Sequence, residues 1–358
     1  MLALTWLVCA AARAQIVPDR LYNGFKRSIP ATVTVPAGRT GEVSIQLLTP
    51  GDVDAGIYNV EAQAAAAAGK VDLATMFPML WLDATPHLRY AQLVVGDEPI
   101  GPAIVLQPML TPDRAELMAL RTTTDPATGR AVTVPVLTND ASQGRAMFES
   151  EQIELLRAAG RAVRDRQVTY SGIRAYVDRH VVLDTTLGEI ELKMRPDAAP
   201  NTVYNFLHLV EGGFYTDIIF HRIVPRARNG APFVIQVGDP TGEGEGGCGY
   251  MIDLENSSLP HAFGVISMAR SSDPDTNGSQ VFICLSREGT ARLDGQYTSF
   301  GQTVRGADVI QAIAATPVDQ NGRAQDPPVL RSARLIDAPP IGTGPMPVPE
   351  PKTPPIER

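Results

Sequence analysis

The stretch "FHRIVPRARNGAPFVIQVGDP", residues 220–240, sets Arg222 and Gln236 inside two short runs of Phe, Ile and Val. Successive side chains of a strand point to opposite faces, so each of these polar residues shares a face with a neighbour two positions away. An antiparallel hairpin of the two runs can put Arg222 and Gln236 on one face. Between the runs, Pro, Asn and Gly mark a turn. Either the two residues are surface decoration, or the strands exist to hold them.

Outward from this stretch, residues 177–338 read as one β-rich unit. The segment "HVVLDTTLGEIELKM", residues 180–194, is a hairpin turning around Thr186, Leu187 and Gly188. "PNTVYNFLHLVEGG", residues 200–213, predicts a helix with Pro200 at its start and Gly212 as its stop. Its apolar stripe is Val203, Phe206, Leu207 and Val210. A second helix is expected at "GADVIQAIAA", with Val309, Ile310 and Ile313 inward. Short antiparallel strands with two helices predict a closed β-barrel plugged by those helices.

The rest of the chain is harder to assign. Residues 15–166 form a β-rich α+β region, with alternating stretches such as "ATVTVPA" and "GEVSIQLL". Helices are expected from Thr111, Pro112 and Asp113 through "RAELMALR", and over "MFESEQIELLRAAG", which ends at Gly160. Residues 167–176 read as a linker. The last twenty residues, 339–358, carry eight prolines and read as a disordered tail.

Composition bounds the function. The chain has 358 residues, 44% of them hydrophobic and 20% charged, with a net charge of −8, and suits two domains. It has no strongly basic run, so a nucleic-acid partner is not expected. The opening "MLALTWLVCAAARAQ" reads as a signal peptide over residues 1–14, which predicts export to the periplasm or cell envelope. The run is too short to span a bilayer. Cys248 and Cys284 read as separate thiols. The five histidines show no ligand spacing, so no metal is expected. "GEGEGG" from Gly242 matches a dinucleotide pattern, yet it follows no suitable strand and opens no helix, so no cofactor is expected.

Six motifs stand in order from about residue 177 to 337: "TTLGEIELKM", "APNTVYNFLHLVEGGFY", "FHRIV", "FVIQVGDPTGEGEGGCGY", "HAFGVISMARSSDPDTNGSQVFICLS" and "LDGQYTSFGQTVRGADVI". Together they resemble the cyclophilins, peptidyl-prolyl cis-trans isomerases, and "SMARSSDPDTNGSQ" is similar to bacterial members. The resemblance implies a closed eight-stranded antiparallel barrel capped by two helices, acting on X-Pro bonds in unfolded or extended chains.

Residue by residue, the resemblance implies that Arg222 donates to the prolyl nitrogen and that Gln236 steadies it and bonds the substrate backbone. Phe233, Phe282 and Leu293 match the apolar proline pocket, and Val234 stands where methionine is usual. Ala269, Arg270 and Gln280 match the groove lining, Arg270 through its backbone. Tyr297 stands where many members have histidine. Arg292 replaces an aromatic residue that supports cyclosporin binding, so weak cyclosporin inhibition is expected. Residues 226–232 replace what is usually one glycine, and selectivity is expected to differ there. The competing reading is a proline-peptide binding module or chaperone without turnover.

Overall fold

The computed structural model describes residues 15–35, 38–83, 85–110, 117–124, 128–137, 145–146 and 169–351. The expected signal peptide and the helix expected at residues 147–160 lie outside the described residues. Residues 1–107 and 173–358 form one compact unit, and residues 108–172 form another.

In the smaller unit, Leu117–Thr124 is a strand paired antiparallel with Ala131–Leu137. The helix expected through Arg121 is therefore not formed over its described part. Leu117, Met118 and Ala119 favour helix locally, but the β-branched run at 122–124 favours extended backbone, and the ladder to Ala131–Leu137 decides between them.

The first half of the larger unit holds two sheets. Gln15–Pro18, Pro30–Thr34 and Gly69–Asp72 form a three-stranded antiparallel sheet. A seven-stranded sheet runs in the order Tyr22–Gly24, Tyr170–Val177, Ile104–Leu110, Arg89–Val95, Val43–Pro50 and Tyr58–Ala65, with Glu98–Pro99 beside Arg89–Val95. The expected linker is thus mostly a strand. Ala175 N donates to Leu21 O at 2.8 Å and Asp178 N to Ala103 O at 2.8 Å, which gives the backbone of this segment partners that a solvated linker lacks.

The second half is a nine-stranded antiparallel sheet in the order Ile218–Ile219, Val329–Asp337, Arg179–Thr185, Gly188–Met194, Ser299–Arg305, Val265–Met268, Val281–Cys284, Val234–Val237 and Arg222–Val224. The ladder is open, where a closed eight-stranded barrel was expected. Its two edge strands are neighbours in sequence, separated only by Phe220 and His221. No rung joins them because their backbone donors are used elsewhere: Phe220 N donates to Pro328 O at 2.9 Å and Ile223 N to Gly322 O at 2.8 Å.

Two helices share the core of this sheet. Pro200–Glu211 buries Val203, Phe206, Leu207 and Val210, and Ala307–Ala314 buries Val309, Ile310 and Ile313, as the apolar spacing predicted. Phe206 packs its ring 5.2 Å from both Tyr215 and Phe300. Each such buried side chain stabilises the fold by roughly 1.5–3 kcal/mol.

The proline-rich tail is not free over its described part. Ile341 N donates to Gln92 Oε1 at 2.9 Å, Val348 N to Thr303 O at 2.9 Å, and the Glu350 carboxylate accepts from Arg287 N at 3.0 Å. Cys248 and Cys284 are free thiols, Cys284 fully buried. Among the described residues no helix is long and apolar enough to cross a membrane.

Candidate active site

The hairpin of the opening stretch pairs Arg222 directly with Gln236, so the two side chains leave the ladder on one face. On the next rung Ile223 opposes Ile235, and both are fully buried in the core. Burying this apolar pair turns Arg222 and Gln236 outward, which is how the sequence alternation becomes a site.

A groove of about 640 Å³ opens on that face. Phe233, Val234, Phe282 and Leu293 supply its apolar surface, with Arg222 and Gln236 beside them. Ala269, Arg270 and Tyr297 also line it. Gln280 lies in an adjoining groove of about 750 Å³ that shares Gln236, Ala269 and Arg270. The structure therefore gathers all ten residues named from the sequence into one connected surface.

The apolar wall is fixed by ring packing. Tyr297 meets Phe282 edge to face at 5.8 Å, and the His261 ring stacks on Phe282 at 6.0 Å. His261 is buried, with Asp294 and Ser267 each 2.9 Å from one ring nitrogen. Burial holds its pKa below the ordinary histidine value, against the pull of Asp294.

The polar wall is a chain of hydrogen bonds. Arg222 Nη1 donates to Gln236 Oε1 at 3.3 Å, and Gln236 Nε2 donates to Gln280 Oε1 at 2.8 Å. Gln280 Nε2 in turn donates to the carbonyls of Gly244 and Gly246, both at 2.8 Å. The glycine loop is gathered around Asp239, which is fully buried and accepts from Thr241 N at 2.8 Å, Gly244 N at 2.5 Å and Gly246 N at 3.1 Å. Burial opposes the Asp239 charge, but the backbone N–H groups and the Thr241 hydroxyl outweigh it and hold the carboxyl at about 2. Gly246 is required here because a Cβ would run into the Asp239 carboxylate.

Several features lay beyond the sequence reading. Arg270 contributes its side chain: the guanidinium lies 4.5 Å over the Tyr297 ring and Nη2 donates to Gln296 O at 2.9 Å. Arg292 lines the groove with its guanidinium 4.9 Å over the Phe233 ring. Asn321 and Arg323 reach the groove from the loop after the last helix, where Arg323 Nη2 donates to Glu243 O at 2.8 Å. Nothing in "DQNGRAQ" signals this placement, which depends on the Ile223 to Gly322 hydrogen bond. His221 is buried and also lines the groove. Its neighbour Arg222 was the available signal.

The segment 226–232 folds back on itself. Ala227 N donates to Ala231 O at 2.8 Å, Gly230 N to Ala227 O at 2.9 Å, and Arg226 Nη1 to Gly230 O at 2.8 Å. These bonds close the turn on itself, Pro232 O accepts from Ser286 Oγ at 2.7 Å, and none of its residues lines either groove.

Comparisons with known proteins agree on one family. Residues 180–335 match the family model described as cyclophilin type peptidyl-prolyl cis-trans isomerase/CLD. The chain is similar to peptidyl-prolyl cis-trans isomerase-like 1 of Emericella nidulans, 37% identical over 163 residues that are 44% of this chain and 95% of the relative. It is also similar to peptidyl-prolyl cis-trans isomerase CYP71 of Arabidopsis thaliana, 35% identical over 53% of this chain but only 29% of that larger protein. Both relatives are eukaryotic. Among solved structures, a Cryptosporidium parvum cyclophilin crystallised with the dipeptide Ala-Pro is 31% identical, covering 44% of this chain and 98% of its own, with a TM-score of 0.40.

Proposed function

The chain belongs to the cyclophilin-type peptidyl-prolyl cis-trans isomerases, and we propose that its Arg222–Gln236 groove rotates X-Pro bonds in unfolded or extended exported proteins. The observation that carries this reading is the direct pairing of Arg222 with Gln236 beside an apolar pocket formed by Phe233, Phe282 and Leu293.

The chemistry follows from the amide. Conjugation of the nitrogen lone pair into the carbonyl sets a rotation barrier of roughly 18–20 kcal/mol. Twisting the bond frees that lone pair, so a donor aimed at the prolyl nitrogen favours the transition state over either ground state. Phe233, Phe282 and Leu293 hold the proline ring, and the Arg222 guanidinium supplies a charged donor on the groove face. Gln236 keeps that guanidinium oriented through the 3.3 Å hydrogen bond and is itself fixed by Gln280. An acceleration of about five orders of magnitude requires roughly 7 kcal/mol, within reach of one charged donor and a preformed pocket. Bonds are neither made nor broken.

The apolar run of residues 1–14 supports exported chains as clients. Arg292 in place of an aromatic side chain supports weak inhibition by cyclosporin, and a nanomolar inhibition constant would overturn that. The central test is a protease-coupled or NMR exchange assay on a proline peptide. Wild type is expected to isomerise it far faster than Arg222→Ala, and equal rates would sink the assignment of the site.

A further inference from the structure

The charge around the groove runs opposite to that of the chain. The protein carries a net charge of −8, yet the groove is lined by Arg222, Arg270, Arg292 and Arg323 and by a single carboxylate, Glu243. Glu243 is already engaged, 3.4 Å from Arg323. Arg270 spends its hydrogen bonds on the carbonyls of Ser271 and Gln296, which leave its charge uncompensated. The adjoining groove adds one further carboxylate, Glu245, which does not line the groove of the proline pocket.

Arg292 is the informative member. It is exposed, its guanidinium lies over the Phe233 ring, and among the described residues no carboxylate stands within ion-pair distance of it. The nearby Asp294 is occupied, 2.6 Å from Arg287 and 2.9 Å from His261. Stacking on Phe233 fixes the planar cation at the edge of the proline pocket while its N–H groups stay available. A planar guanidinium with free edges is suited to a carboxylate, which it can meet with two parallel hydrogen bonds.

Resting on the isomerase reading above, we propose that Arg292, supported by Arg270, makes this groove select proline peptides with an acidic side chain within two residues of the proline. In an extended peptide the side chains two positions from proline point to the same face as the ring and lie about 7 Å from it, so they meet the groove wall where Arg292 sits. Selectivity thereby resides mainly in the side chain stacked on the pocket, with Arg270 in support, and the loop at 226–232 lines neither groove.

The test is a set of proline peptides carrying Glu, Gln or Lys at each of the two positions before and after the proline. Both kcat/KM and direct binding, by fluorescence anisotropy, are measured at low and high salt. Wild type is expected to favour the best Glu peptide over its Lys counterpart by about tenfold in low salt, with the preference shrinking as salt rises. Arg292→Gln is expected to bring that ratio to about twofold, and Arg292→Lys to restore part of it. Because the readout is a ratio within each variant, a general loss of activity cancels. Equal Glu and Lys values in wild type, or an unchanged ratio in Arg292→Gln, overturn the proposal. The binding arm reads the same ratio without turnover, so a failed isomerase assay with charge-selective binding overturns the catalytic reading alone.

Discussion

Phe233, Phe282 and Leu293 hold one wall of the groove by packing, whereas Arg222, Gln236 and Gln280 hold the other by hydrogen bonds that end at one buried carboxylate, Asp239. The apolar wall has many weak supports, and loss of any one leaves neighbours to relax into the gap. The polar wall has a serial arrangement in which each group orients the next. The first design tolerates change gradually; the second transmits a fault at its anchor to its working end.

Four substitutions probe this contrast, taken from the largest effect to the smallest. Arg222→Ala should lower kcat/KM by roughly 10²–10³-fold, the scale of losing one charged transition-state donor. Since Arg222 is exposed, its thermal melt should barely move, and a large drop in melting temperature would show that the residue also supports the fold. Phe282→Ala should destabilise by about 3 kcal/mol in urea titration, because the ring is 5% exposed and meets both Tyr297 and His261. A loss below about 1 kcal/mol would mean the packed wall is looser than its contacts imply.

Asp239→Asn should cost about 2 kcal/mol at neutral pH and also lower kcat/KM, since the glycine loop that positions Gln280 loses its charged anchor. The sign of its pH dependence is fixed by the direction of the shift. The carboxyl sits at about 2 in the fold against an ordinary value of 3.8, so its stabilisation is complete above about 4 and is lost as pH falls toward 2. Wild type and variant should therefore converge in stability between pH 4 and 2. A gap that persists unchanged at pH 2 would remove the carboxylate charge from the explanation. The smallest effect is expected from Gln280→Ala, about fivefold in kcat/KM, because Gln236 keeps its ladder position and loses only its side-chain support. If that variant matched Arg222→Ala, the chain of hydrogen bonds would matter more than the donor it carries.

Legibility in the sequence differed between the two walls for a physical reason. Arg222 and Gln236 were visible because polar side chains inside apolar strands violate the local pattern. Phe233, Phe282 and Leu293 read as ordinary core until the motifs around them were matched to a family, since burial alone gives pocket and core the same residue types. The helices at 200–211 and 307–314 were legible from their stripes and stops. What failed was long-range. Leu117–Thr124 took its form from a partner strand, and Arg323 reached the groove through a hydrogen bond between Ile223 and Gly322. The tail misled through composition: its prolines lack donors, but Val348 between two of them keeps an N–H and uses it on Thr303.

The placement of Tyr170–Val177 bears on how this isomerase can be handled as a part. Only Asp178 separates that strand from Arg179–Thr185, the first strand of the nine-stranded sheet, and its own backbone N donates to Ala103 O. The seam between the seven-stranded and the nine-stranded sheet is thus drawn through hydrogen-bonded backbone, with no slack for a protease to bind or for a genetic graft to cut cleanly. A swap that imported the isomerase from another protein at this border would have to bring, or rebuild, a strand belonging to its neighbour.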